Sequence, residues 1–175
     1  ALVSDILMLS KLDESERAGD REIFGPAERV DLRSVASDVV ERLGESARRA
    51  GVEVSVEGVA SPVMGNARLL DELVSNLVEN AIRYNPAGGR VYVWVVPQDG
   101  RPCIRVTDTG IGIPKEDQGK VFERFYRVDK GRSRDTGGTG LGLAIVKHAA
   151  AYHAAQIKLE SELGKGTSVT VLFPA

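Results

Sequence analysis

Residues 2–12 place Leu2, Val3, Ile6, Leu9 and Leu12 near helical spacing, and the charged, Gly-bearing stretch over residues 13–28 interrupts that pattern. A helix that begins in mid-pattern reads as the broken end of a longer one. Asp31 precedes a second periodic segment with Leu32, Val35, Val39, Val40 and Leu43, which predicts a capped helix to about Ala50, stopped by Gly51. Residues 52–56 alternate apolar and polar and predict a strand. Asn66 then opens a helix through about Tyr84, ended by Asn85, Pro86 and the Gly88, Gly89 turn. Two further strands are predicted over residues 91–96 and 103–107, joined through Gln98, Asp99 and Gly100. Residues 114–138 are rich in charge and Gly and have no sustained period, which reads as a mobile lid. A helix over 141–152 and strands over 156–160 and 168–173 complete the series. The expected fold is α/β (α+β): one mixed sheet of about five strands, covered on one face by three helices.

With 42% hydrophobic and 27% charged residues among 175, the chain can bury the core of one ordinary domain. A net charge of −2 supplies no basic field, so nucleic acid is excluded as a partner. Cys103 is the single cysteine, which rules out an internal disulfide and a cysteine-based metal cluster and suits a reducing compartment. No apolar run approaches the roughly 20 residues of a membrane helix, and no signal peptide is evident, so a soluble, cytoplasmic domain is expected.

The chemistry concentrates in four segments. On the predicted helix over 66–84, Asn76 and Asn80 stand one turn apart, with Arg83 and Tyr84 a turn further on. Asn offers an amide oxygen to a hard cation such as Mg²⁺, Arg a charge to phosphate, and Tyr a flat surface to a base. An exposed ion pair between Glu79 and Arg83 is the plainer alternative. The stretch DTGIGI at 108–113 fixes Asp108 at a strand end, where it can accept a hydrogen bond from an exocyclic amine while Gly110 and Gly112 let a flat ligand approach; a simple turn is the alternative. The stretch GGTGLGL at 137–143 runs into an apolar helix and would direct free backbone N–H groups toward an anion. It lacks the Lys-Ser/Thr ending of a P-loop and does not follow a strand as a dinucleotide fingerprint must. Arg124 and Arg127 flank the aromatic cluster Phe122, Phe125 and Tyr126, and paired guanidinium groups there can close over a triphosphate.

These motifs, in this order over residues 31–174, resemble the catalytic ATP-binding domain of bacterial sensor histidine kinases, a branch of the Bergerat-fold ATPases, in which a two-layer α/β sandwich carries an ATP lid. NLVENAIRYNP at 76–86 matches the Asn box, DTGIGI the first glycine box, FERFYR at 122–127 the aromatic box, and residues 138–143 the second glycine box. The resemblance implies ATP and Mg²⁺ as cofactors. Asp108 would hold the adenine amine, with Gly110, Gly112 and Ile113 beside it; Asn76 and Asn80 would serve Mg²⁺; Tyr84 would line the base; and Arg83 and Arg127 would reach phosphates. Gly138, Thr139, Gly140, Leu141 and Gly142 would wrap the triphosphate. Asn76, Arg83 and Arg127 are the expected catalytic set. Residues 1–14 would be the end of a dimerisation and phosphoacceptor helix, 15–30 a linker and 31–174 the catalytic domain.

Two positions depart from the family pattern: Asn85 stands where Ser or Thr is usual, and Ala154 and Ala155 where Gly-Gly is usual. Neither bears on the phosphate chemistry. The phosphoacceptor His of such kinases is followed by an acidic residue, whereas His148 and His153 are each followed by Ala and read as structural. The resemblance therefore implies transfer of the γ-phosphate to a His on a separate dimerisation domain, then to the Asp of a response regulator. Hydrolytic relatives carry a Glu base at the place of Asn76, whose neutral amide takes no proton from water. An ATP-hydrolysing domain, a serine kinase on the same fold and a non-catalytic ATP sensor are the alternatives. The parent is expected to be a membrane-anchored homodimer, and this piece a monomer unable to phosphorylate itself.

Overall fold

The computed structural model describes residues 2–19, 21–128 and 138–175. Its first helix, α1 (Leu2–Ala18), does not stop at Leu12. Glu14, Glu16, Arg17 and Ala18 are good helix formers whose charges face solvent, while Met8, Leu9, Leu12 and Ser15 are buried, so one face carries the helix on until Gly19 turns the chain with φ +64°. A short 3₁₀ turn (Arg21–Phe24) follows.

Strands β1 (Glu28–Asp31) and β3 (Pro62–Gly65) form a two-stranded antiparallel ribbon that the sequence pattern did not reveal. Four residues are too few to show a period, and one of the strands opens on Pro. Asp31 leaves β1 as the cap of α2 (Leu32–Arg42), accepting hydrogen bonds from the Arg33 N–H at 3.2 Å, the Ser34 hydroxyl at 2.9 Å and the Ser61 N–H at 2.7 Å. The predicted helix to Ala50 is two helices. Leu43, at φ −88° and ψ 2°, leaves helical geometry just before Gly44, a poor helix former, and α3 (Gly44–Ala50) resumes from there.

The main sheet holds β2 (Glu53–Gly58), β4 (Arg90–Val95), β5 (Cys103–Asp108), β6 (Gln156–Glu162) and β7 (Gly166–Leu172) in the order β2-β4-β5-β7-β6. β2 pairs parallel to β4, and the other three pairings are antiparallel, which makes the sheet mixed as expected. Strict alternation buries Val91, Val93 and Val95 of β4 and Val169 and Val171 of β7 on one face. Helix α4 (Ala67–Arg83) lies on that face between α2 and α5 (Gly142–Tyr152), and Leu69, Leu70, Leu73 and Val74 are wholly buried there. On the other face Tyr92 stacks on Trp94, with ring centroids 5.6 Å apart, and the Arg105 guanidinium lies 6.0 Å from the Trp94 ring centre.

Both histidines are engaged in contacts between elements. The buried His153 donates from Nδ1 to the Ala149 carbonyl at 2.7 Å and accepts the Asn66 N–H at Nε2, 3.1 Å away. Asn66 in turn caps α4 through its side-chain oxygen, so one imidazole joins the end of α5 to the start of α4. His148 pairs with Glu16 of α1 at 3.0 Å. Met8, Leu9 and Leu12 carry α1 into the same apolar core, against α5. Residues 114–128 run as successive turns; the remainder of the expected lid, apart from Gly138, lies outside the described residues, as does Gly137. Among the described residues no helix is long and apolar enough to cross a membrane.

Candidate nucleotide-binding site

The predicted site residues gather where the C-terminal end of α4, the end of β5 and the N-terminal end of α5 come together. Asp108 ends β5, half-buried, with one carboxylate oxygen, Oδ1, accepting from the Gly110 N–H at 2.8 Å and the Thr167 N–H at 3.2 Å. Burial pushes its carboxyl above the ordinary value, and those two backbone donors only partly offset this. Oδ2 makes no hydrogen bond among the described residues.

The glycines of this turn are dictated by close approach. A Cβ on Gly110 would stand 2.4 Å from the Tyr84 carbonyl oxygen, and the same carbonyl accepts the Ile111 N–H at 3.1 Å, so the turn is fastened to the end of α4. Gly112 has φ +73°, and a Cβ there would lie 2.2 Å from the Glu162 carbonyl oxygen at the end of β6. The next residue, Ile113, is half-buried and donates its N–H to Ser161 Oγ at 2.8 Å. Tyr84 itself is exposed at the rim. Asn85, one of the two departures from the family pattern, is buried and donates to the Arg90 carbonyl at 3.0 Å, closing the turn after α4.

Along α4, the Asn76 side-chain amide donates to the Glu72 carbonyl at 2.7 Å. Its oxygen is thereby turned toward the start of α5, where a Cβ on Gly142 would stand 2.9 Å from it. The Asn80 oxygen accepts from Arg83 Nη1 at 3.2 Å. Arg83 and Arg127 converge on Gly138: a Cβ on that glycine would lie 3.2 Å from one guanidinium and 3.5 Å from the other. Two cations thus flank the second glycine stretch just before the amide-rich start of α5, an arrangement suited to an anion. The Gly140 carbonyl accepts the Phe125 N–H at 2.8 Å, which joins the aromatic box to the second glycine box. Thr139 Oγ1 accepts the Leu141 N–H at 3.3 Å, whereas the Leu141 side chain is fully buried and can offer only its backbone.

Arg124 does not join Arg127. Its guanidinium binds the Asp13 carboxylate of α1 instead, and the hydrogen bond holds Asp13 below the ordinary carboxylate range. Sequence reasoning also missed Asp5, whose carboxylate accepts from Thr139 Oγ1 at 3.1 Å. No local pattern could have exposed that contact, because it spans 134 positions and depends on how α1 docks. Glu72 is a further acid in this region: partial burial first, and then the Asp5 charge, raise its carboxyl above the ordinary value.

Residues 65–175 match the family described as histidine kinase-, DNA gyrase B- and HSP90-like ATPase. The chain is 42% identical over 174 residues to the sensor-like histidine kinase SenX3 of Mycolicibacterium smegmatis, covering 99% of this chain and 44% of that protein. It is 41% identical over 175 residues to the sensor histidine kinase RppB of a Synechocystis strain, covering 99% of this chain and 37% of that one. The chain thus spans less than half the length of these relatives. Among solved structures, the mycobacterial sensor histidine kinase MprB superposes with a TM-score of 0.74 at 33% identity, over 85% of this chain and 97% of that one. Full-length ShkA in complex with AMPPNP gives a TM-score of 0.77 at 26% identity, over 99% of this chain and 35% of that one. Sequence, fold and the order of the boxes agree: the chain belongs to the histidine kinase-, DNA gyrase B- and HSP90-like ATPase family, in its sensor histidine kinase branch.

Proposed function

We propose that this chain binds Mg-ATP between Asp108 and the start of α5 and presents the γ-phosphate to a His on the dimerisation domain of a two-component sensor kinase. The observation that carries the reading is the paired approach of Arg83 and Arg127 to Gly138, ahead of a helix N-terminus that offers backbone donors. That is a triphosphate's environment. Asp108 supplies the other end: with Oδ1 held by two backbone donors, Oδ2 accepts the adenine amine while Tyr84 flanks the ring. Gly110, Gly112 and Ile113 shape the base pocket, and the backbone over residues 138–142 wraps the phosphates.

The residues present fit the metal. Asn76 and Asn80 offer neutral oxygens one helical turn apart that would hold Mg²⁺, with the Asn80 oxygen keeping a lone pair beside its bond from Arg83, and phosphate and water would complete the shell. When bound, the ion would neutralise charge on the phosphates. The chain's own residues position and shield: the two arginines hold the phosphoryl oxygens, and the amides at the start of α5 stabilise charge that develops during transfer. Asn76 favours transfer over hydrolysis because its amide cannot accept a proton from water.

Residues 1–14 are assigned to the end of the dimerisation helix. α1 supports this with an exposed apolar stripe, Leu2, Val3, Ile6 and Leu7, opposite the buried Met8, Leu9 and Leu12. The parent is a membrane-anchored homodimer on this reading, the domain is cytoplasmic, and the phosphoryl group passes to a response-regulator Asp. The test is incubation of this chain with γ-labelled ATP, Mg²⁺ and a separately produced dimerisation domain from its parent. Acid-labile, base-stable label on that domain is the expected result. Acid-stable label on Ser, or release of free phosphate without any acceptor, would refute it.

A further inference from the structure

We propose that the Asp5 carboxylate of α1 stands in for an anion at the phosphate loop, so that docked α1 and a bound triphosphate compete for the same positive ground. The proposal rests on the nucleotide reading above and adds a regulator to it. Thr139 is the link: its hydroxyl accepts the Leu141 N–H at 3.3 Å, at the very start of α5, and donates to Asp5 Oδ2 at 3.1 Å. Among the described residues no side chain caps α5 directly. The positive end of that helix therefore sees a carboxylate through a single hydroxyl, on ground that also suits an incoming phosphate.

The rest of α1 holds Asp5 there. Met8, Leu9 and Leu12 are buried in the domain core, Asp13 binds Arg124, and Glu16 meets His148 at 3.0 Å. The three polar contacts lie successively on the phosphate loop, the aromatic box and α5 itself. Burial first, and then the Asp5 charge, raises the Glu72 carboxyl of α4, and Asp5 adds in the same direction to the burial that raises Glu79. A triphosphate in the loop meets a fixed like charge within reach of its own donors. Binding of ATP then favours an α1 whose first turns have moved away, and by linkage an α1 moved away, as when the stem rearranges, favours ATP.

The experiment compares the chain with its Asp5→Asn variant, which keeps an acceptor for Thr139 and removes the charge. Binding of a non-hydrolysable ATP analogue with Mg²⁺ is read by calorimetry at low salt, and binding of adenosine by chemical-shift titration. The variant should bind the analogue about tenfold more tightly, the effect of one carboxylate about 6 Å from a phosphate at intermediate dielectric, with the gain shrinking as salt is added. Adenosine affinity should not change. A second variant, Asp13→Asn with Glu16→Gln, loosens the far end of α1 without altering the phosphate loop and should also tighten the analogue. Unchanged or weaker analogue binding by Asp5→Asn, with adenosine still bound, would overturn the proposal; weaker binding would make Asp5 a helper of the metal. Failure of the unaltered chain to bind either ligand would instead bring down the nucleotide reading, and this proposal with it.

Discussion

Asp108→Asn separates the binding role of this carboxylate from its structural one. Oδ1 already accepts from Gly110 and Thr167, and the Asn side-chain oxygen can accept from both. The turn should survive. Only Oδ2 changes, from an acceptor into an NH₂ donor, and it then faces the adenine amine as a like group. Loss of a charged hydrogen bond is worth about 1.5–3 kcal/mol, so affinity for an ATP analogue should fall by about tenfold to 150-fold. Stability should move the other way. Burial raises the Asp108 carboxyl, so ionised Asp108 opposes folding: its contribution is most favourable below the unfolded-state value and is lost as pH rises through the higher folded-state value. At neutral pH the variant should be at least as resistant to urea as the parent, and the gap should close in acid. Calorimetric titration and urea melts at two pH values read both effects. Parent-like affinity, or a variant that unfolds more readily at neutral pH, would refute the reasoning.

Gly112→Ala should cost about 1–3 kcal/mol in urea denaturation and weaken nucleotide binding, because its left-handed backbone and the Glu162 carbonyl leave no room for a methyl group. Asp31→Ala should lose about 1–2 kcal/mol with the cap of α2. Partial burial pushes the Asp31 carboxyl up, but the hydrogen bonds from Ser61, Ser34 and Arg33 outweigh it and hold the group below its ordinary value. That stability is present at neutral pH and lost as pH falls through the lowered value, so melts of this variant and the parent should converge in acid. Glu72→Gln should have the opposite profile: with the Glu72 carboxyl raised, the variant should gain melting temperature at neutral pH and lose that advantage as pH falls.

Long periodic elements were readable from the sequence and short ones were not. α4 has an Asn cap and a full apolar face, and the structure reproduces its predicted bounds to within a residue. Strand β4 was equally clear, since alternation over six residues leaves few alternatives. β1 and β3 hold four residues each, and their pairing is settled by Asp31 reaching Ser61 across thirty positions. The break at Leu43 was hidden because the apolar pattern continues through it. In the site, the glycines and Asp108 announced themselves through spacing, and Arg83 and Arg127 do meet beside Gly138. Arg124 was misread, and Asp5 unseen, for one reason: both depend on α1 folding back onto the domain, which no local pattern encodes.

The stacked pair on the uncovered sheet face has a practical corollary. Trp94 is the chain's only tryptophan, and it shares that face with Tyr92 and Arg105 rather than with the helices or the glycine stretches. Its emission is set by the ring below it and the cation beside it. Tryptophan emission therefore reports whether β4 and β5 remain paired and is nearly blind to ligand at the far side of the sheet. One optical signal can follow unfolding in the presence of nucleotide, without the contact quenching that a tryptophan stacked on a bound base would suffer.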